Sequence, residues 1–302
     1  MAEGDSPTVA RRRVRLAIRE AREANNLTQL QVAEQMEWSL SKVIRIENGE
    51  VSISVNDLRP LLAFVGIRDR AEVNSLIADA RIARTRQRQA WYQRPEFREH
   101  MSDAFRRLIE YEAEASAIRS YSVYYPPGPL QIPPYAAALT GSWGDHDLPP
   151  EAVDAVVEAR RIRRETMVKR LGSFKFFVIL DQSVLMRTIG GPAVLVEQLK
   201  DLHGLASRGL LHIRMLSFDL DSPIANNASF DLLTVPGGTG EVMYRENGLA
   251  DEIVEDAAST ARHRERFDQL WHIADAEADT IDFIKGRIEF LETKITESQS
   301  RT

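Results

Sequence analysis

A chain of 302 residues with 43% apolar side chains is long enough for two domains and can bury a real core. It contains no cysteine, which excludes disulfides, thiolate chemistry and cysteine-ligated zinc. The longest clean apolar run, Phe176–Leu180, is far too short to cross a bilayer, and no apolar core follows Arg11–Arg13, so a cytoplasmic protein without membrane contact is expected.

The net charge of −6 is unevenly spread: residues 1–90 hold 15 Lys/Arg against 12 Asp/Glu, a net of +3, and the rest hold 24 against 33, a net of −9. A mildly basic head on an acidic body suits a head that touches phosphate, although a difference this small also arises by ordinary fluctuation.

Residues 1–84 read as an all-α domain of five helices. Val9, Val14, Leu16, Ala17, Ile18 and Ala21 give one apolar face, which Asn25-Asn26 ends. Thr28 caps a short helix running to about Met36, and Ser39 caps another that stops near Asn48-Gly49. Asp57 opens a fourth helix through Phe64, and Asp69 a longer one that turns arginine-rich at Arg81, Arg84, Arg86 and Arg88.

Residues 85–110 are expected to form a connector, and 111–302 a mixed α/β domain ending in a long helix. Phe105, Leu108, Ile109 and Ala113 keep a helical period, and no helix can cross Tyr124–Pro129. A basic amphipathic helix over Ala152–Leu171 is followed by a strand over Phe174–Leu180 that ends at Asp181. Gly190-Gly191-Pro192 starts a helix through about Ala206, and strands are expected over Leu210–Leu216, Phe230–Val235 and Glu241–Arg245. Near the end Ile281, Ile284, Ile288, Leu291 and Ile295 step by three and four. That seam is shorter than a coiled coil needs, so it is expected to pack on its own domain.

The stretch Leu27–Gly49 carries the sharpest chemistry. Leu30, Val32 and Ala33 supply an apolar face to the first of two short helices, and Val43 and Ile46 lock the second onto it. Leu40, Ser41, Lys42 and Arg45 are left facing outward on the first turns after Ser39, where a recognition helix reads base edges in the major groove. Arg45 can pair bidentately with guanine, Ser41 can bond to a base or phosphate, and Leu40 can meet a thymine methyl. Lys42 and Gln29 suit phosphate, with Arg11, Arg12, Arg13, Arg15 and Arg19 of the first helix as further phosphate contacts. The expected partner is duplex DNA. One such helix reads only a few base pairs, so a homodimer on an inverted repeat is expected. The pattern Leu-Thr-Gln, Val-Ala, Ser, Ile, Ile-Glu-Asn-Gly resembles the helix-turn-helix of the xenobiotic-response-element family, which includes phage-repressor-like heads.

In the second domain Arg160, Arg163, Asp181, Tyr244 and Glu246 form a charged set at strand ends and on one helix. They are either a ligand or partner pocket or an interior salt-bridge network, and such networks are the commoner way to hold helix to sheet. The six histidines show no paired ligand spacing, no nucleophile elbow occurs, and Gly190-Gly191-Pro192 lacks the lysine of a nucleotide loop, so no metal, cofactor or catalytic group is expected.

Pro127-Gly128, Leu130-Gln131, Tyr135-Ala136, Arg160 with Arg163, Asp181, Gly190-Gly191-Pro192, Gln198-Leu199, Phe230, Tyr244 and Glu246 follow one another in an order that resembles the C-terminal domain of the WhiJ-like, antitoxin-like regulators of actinobacteria. Pro129, Arg164 and Gln182 depart from that pattern. The resemblance implies a regulator of development or specialised metabolism and a small partner protein that modulates its DNA binding. An antitoxin-type protein that sequesters a small partner and regulates itself is the alternative, and an enzyme with a DNA-binding head, using Asp181 and Glu246, is a third reading.

Overall fold

The computed structural model describes residues 7–84, 91–142, 150–222, 228–236, 240–246 and 251–300. The chain divides into two compact units, one built from residues 1–90 and 235–240 and one from 91–234 and 241–302.

The first unit is a bundle of five helices: α1 (Pro7–Ala24), α2 (Gln29–Gln35), α3 (Leu40–Glu47), α4 (Val55–Phe64) and α5 (Arg70–Ala83). Side-chain oxygens answer the free N–H groups that every helix start exposes. Thr28 accepts from the Gln31 backbone while the Gln31 side chain reaches back, a reciprocal capping box. Ser39 accepts from the Lys42 backbone. Helix α4 begins two residues before Asp57, because Ser54 caps it and accepts from the Asp57 N–H. Asp69 caps α5, as expected, while Arg86 and Arg88 lie outside the described residues. Val14, Ile18, Val32, Val43, Ile46 and Leu62 meet in the core. Leu30 departs from expectation: it is 52% exposed, and α2 turns Val32 and Ala33 inward instead.

The second unit is a mixed α/β domain. In chain order it holds α6 (Pro95–Arg98), α7 (Asp103–Glu114), β1 (Ala117–Ser122), α8 (Pro133–Ser142), α9 (Pro150–Arg170), β2 (Lys175–Asp181), α10 (Gln182–Met186) and α11 (Pro192–Ser207). Then follow β3 (His212–Leu216), β4 (Phe230–Thr234), β5 (Glu241–Glu246), β6 (Asp251–Val254), α12 (Ala257–Ile273) and α13 (Glu277–Gln299). Single 3-10 turns cover Trp91–Gln93 and Gly128–Leu130. Of the connector expected over 85–110, residues 91–110 belong to this unit, with Phe97 and Leu108 in its interior.

The six strands lie in the order β3-β2-β1-β4-β5-β6. β1, β2 and β3 run parallel, and β4, β5 and β6 add on antiparallel. Successive side chains of a strand point to opposite faces. Tyr121, Ile179, Leu232 and Met243 therefore share one face, which Phe267 and Leu270 of α12 cover. Ser120, Val178, Asp231 and Tyr244 stand in register on the other.

The C-terminal stripe is covered within the chain. α13 packs along α11, and Ile284, Ile288 and Leu291 are buried there. Thr280 Oγ1 accepts the Met215 N–H at 3.1 Å, and Arg287 donates to the Met186 carbonyl at 3.2 Å, fixing α13 to β3 and α10. Ile284 is fully buried. Ile284→Ala should therefore lower unfolding stability by about 2–5 kcal/mol, read as a shift in the urea midpoint. Light scattering should show an unchanged oligomeric state; a monomer appearing on substitution would place the stripe in a subunit interface.

Candidate functional site

The outward face of α3 is laid out by its own inward face. Val43, Ile46 and Glu47 are buried, which leaves Leu40, Ser41 and Arg45 exposed and Lys42 half-buried on the opposite side. The two cations are held by carboxylates. Lys42 Nζ lies 3.4 Å from Asp57 and 3.7 Å above the centre of the Trp38 ring. Arg45 Nε lies 3.4 Å from Glu50, and both side chains remain about half exposed.

Behind this surface Glu47 is the hub. Its side chain is fully buried and takes Arg22 Nε at 2.6 Å and Arg22 Nη2 at 3.0 Å. Gln29 Nε2 donates to the same carboxylate at 2.8 Å, and Arg15 Nη1 donates to the Glu47 carbonyl at 3.3 Å. The bond to Glu47 raises the Arg22 pKa above its ordinary value. One carboxylate thus fixes the end of α3 to α1 and to the start of α2.

The second unit carries a pocket of about 650 Å³, open mouth included, between the end of the sheet, α9 and the turn at Gly128. Arg163 crosses beneath it and pairs bidentately with Glu112 of α7 at 2.7 and 2.6 Å. A β-carbon at Gly128 would stand 2.6 Å from Arg163 Nη1, so the turn passes where only glycine fits. Arg160 Nη1 donates to Gln131 Oε1 at 2.9 Å, and Gln131 Nε2 donates to the Pro126 carbonyl at 2.9 Å. The buried Gln198 holds the same loop, bonding the Ile132 N–H and the Leu130 carbonyl. The pocket wall is therefore set by hydrogen bonds inside the fold.

Carboxylates also line it. Tyr125 donates to Glu246 Oε2 at 3.2 Å. Asp231 sits in register between Ser120, which bonds to it, and Tyr244. Burial pushes the Asp231 pKa up to about 6 and raises that of Glu246, with Asp251 adding to the latter. Burial lowers the pKa of Arg160, and the neighbouring Arg163 adds to that.

Two family models match. One, described as a helix-turn-helix domain, covers residues 14–76, that is α1 to α5 around the Glu47 hub. The other, described as a domain of unknown function (DUF5753), covers residues 105–286. The chain belongs to the DUF5753 family. No curated protein and no solved structure matches it. The first unit is the helix-turn-helix head of a DNA-binding regulator, and the DUF5753 unit contains the whole pocket.

Four of the five charged residues singled out in this DUF5753 unit, Arg160, Arg163, Tyr244 and Glu246, line that pocket. Asp181 does not join them. It alternates with Leu180 onto the α12 side of the sheet, and its carboxylate caps α10 by accepting the Ser183 N–H at 2.9 Å. In the head, Arg12 and Arg15 are corrected as phosphate contacts, because both are buried. Arg13 is spent on Asp79, 2.9 Å away, and Arg11 is half-buried and lines a small cleft with Ala80 and Ala83 of α5. Arg19, within 4.0 Å of Glu47, keeps a partly open side chain, and Gln29 is committed to Glu47. Glu112, Gln131 and Asp231 were not singled out as site residues; only Asp231, a carboxylate inside the apolar strand Phe230–Thr234, gives a local signal. Among the described residues no group of three His, Asp or Glu could hold a metal ion, and no helix is long and apolar enough to cross a membrane.

Removing Glu47 takes away the buried anion of Arg22 and leaves it only the exposed Glu23, 3.1 Å away. Glu47→Ala should cost about 3–5 kcal/mol of head stability, measured by urea unfolding, and Glu47→Gln less. Asp231 gives a pH test. Its folded pKa is raised from its ordinary 3.8 to about 6, so its contribution is fully present below the lower value and lost as pH rises through the upper. Asp231→Asn should leave stability near pH 4 little changed and raise it at pH 7.5 by up to about 3 kcal/mol. Equal effects at both pH values would contradict the assignment.

Proposed function

We propose that the chain is a cytoplasmic, sequence-specific transcriptional regulator that binds duplex DNA as a homodimer and is modulated through its DUF5753 unit. The observation that carries the reading is the outward face of α3, where Leu40, Ser41 and Arg45 are exposed and Lys42 half-exposed on a helix whose other side is locked by Val43, Ile46 and Glu47. In this reading Arg45 reads a guanine edge and Leu40 a thymine methyl, while Ser41 and Lys42 hold base or backbone and Arg19 adds a phosphate contact. Gln29 and Ser39 act by positioning, one through Glu47 and the other by capping α3. The order of motifs shared with WhiJ-like regulators supports a role in development or specialised metabolism and modulation by a small partner protein or a ligand at the pocket.

Genome fragments selected by the full chain, followed by binding titrations on the selected site, test this. Arg45→Ala should weaken the specific site by about 1–3 kcal/mol and relax preference at one or two base positions. Lys42→Ala should weaken all sequences alike and flatten the dependence of affinity on salt by about one unit of slope. Specific binding unchanged in both variants would overturn the recognition-helix assignment.

A further inference from the structure

Helix α13 turns Ile284, Ile288 and Leu291 inward against its own unit. Beside that buried stripe runs a second one, Asp279, Phe283, Gly286, Phe290 and Lys294, which also steps by three and four residues and so follows one line along the helix. This second line is open: Asp279, Gly286, Phe290 and Lys294 are exposed, and Phe283 is half-buried. Arg287 and Lys294 stand over the Phe290 ring, 5.2 and 5.6 Å from its centre, yet Phe290 is still 51% exposed. Among the described residues neither Asp279 nor Lys294 has an ion-pair partner.

Gly286 is the odd residue in this helix. Glycine weakens a helix interior relative to alanine, and it is the residue that lets another backbone come close. Within the chain nothing does so: beyond the helix backbone around it, no atom lies within 4 Å of the place where a Gly286 β-carbon would stand. The neighbouring residues are disposed symmetrically about Gly286-Arg287. Phe283 comes three residues before the pair and Phe290 three after, and Asp279 and Lys294 lie four further out on either side. A second α13 laid antiparallel on this line sets Phe283 against the partner's Phe290 and Asp279 against the partner's Lys294, and two-fold symmetry repeats both contacts. Laid parallel, it would set carboxylate on carboxylate and ammonium on ammonium. Packed helices approach to about 8–10 Å, and glycine beside the crossing permits the near end of that range.

We propose that α13 is a dimer surface, pairing antiparallel with α13 of a second copy of this chain and crossing it beside Gly286. The rings and the close crossing supply the attraction. The end charges are exposed and individually weak, and they act by selecting the antiparallel direction. The inference deepens the homodimer reading by naming the surface through which two copies join, and it rests on that reading only for its consequence at DNA.

Sedimentation velocity of the full chain without DNA, from about 1 to about 100 μM, should show a dimer that dissociates on dilution. Phe290→Ser and Gly286→Lys should each weaken it about ten-fold or more, and circular dichroism should show both variants folded, since both positions are exposed in the single chain. Asp279→Lys and Lys294→Asp should each weaken the dimer about ten-fold, because each makes both end contacts repulsive. An equal mixture of these two variants, and the chain carrying both substitutions, should return to within about three-fold of the original affinity. Asp279 and Lys294 are about 22 Å apart along one helix, so the recovery can arise only between chains. A chain that stays monomeric over the whole range, a dimer indifferent to all four substitutions, or a double reversal that fails to recover each overturns the proposal. The number of chains on the selected DNA site tests the homodimer reading separately. Two chains per site with α13 variants that dimerise unchanged overturn this surface and keep that reading; one chain per site overturns that reading alone.

Discussion

A guanidinium cannot lose its charge in a protein, so an arginine drawn into the interior has to bring a carboxylate with it. Both units of this chain are organised by that constraint. In the head, Arg22 on α1 and Glu47 at the end of α3 are buried together, and Gln29 at the start of α2 joins them. In the DUF5753 unit, Arg163 on α9 and Glu112 on α7 are buried together beneath the pocket. Neither pair needs to add net stability to matter. Removing one partner strands the other, so the geometry that satisfies both is strongly preferred, and in each case it sets the orientation of the helix that carries the candidate chemistry of its unit. For α3 that chemistry is the row from Leu40 to Arg45. For α9 it is Arg160, one turn from Arg163.

The alternation of strands does the corresponding work for the sheet. Asp231 and Tyr244 reach the pocket because they stand opposite Ser120 and each other across β1, β4 and β5. Serine at 120 leaves room for the carboxylate and offers it a hydrogen bond; a bulky apolar residue there would leave Asp231 with neither. The other face of the same strands is dry, closed by α12 with Phe267 and Leu270. Asp181, one residue beyond Leu180, falls on that side. A carboxylate at the carboxyl end of a parallel strand commonly marks a ligand site in an α/β domain, but here parity sends it to a helix cap.

Most of the head was legible in the sequence because its signals are local. Caps at Thr28 and Ser39, the stop at Gly49 and the apolar steps Val43 and Ile46 each act within one or two turns. What was not legible there is the direction in which the arginines of α1 point. Arg11, Arg12, Arg13, Arg15 and Arg19 read alike as cations, yet a helix of 100° per residue spreads them round its circumference, and Arg12 and Arg15 fall on the buried side. In the second unit the apolar strands β2 and β3 and the helix starting at Pro192 announced themselves. The central strand β1 did not, because Ala117–Ser122 carries Arg119 and two serines where a buried strand normally carries Val, Ile or Leu. Those polar residues are there for partners distant in sequence, Asp231 and Thr234 among them, and a single chain read in order does not display such pairs.

The small positive charge of the head has a physical reading in the same terms. Arg45 and Lys42, the cations most open on α3, each have a carboxylate at 3.4 Å, Glu50 and Asp57. These are exposed pairs and weak ones, and water screens them. Their effect is on what approaches. Far from DNA the local field of α3 is close to neutral, so non-specific attraction to phosphate is damped. Close to a base edge, guanidinium can exchange one half-exposed carboxylate for two aligned acceptors on guanine, and the exchange is favourable only where the geometry is met. If α3 reads bases as proposed, a head built this way trades affinity for discrimination, which suits a regulator that must leave the many wrong sites of a genome quickly. The cost falls on the specific complex as well, since Glu50 has to be tolerated near the phosphate backbone, and the proposed pairing of two heads would offset it by adding a second set of contacts.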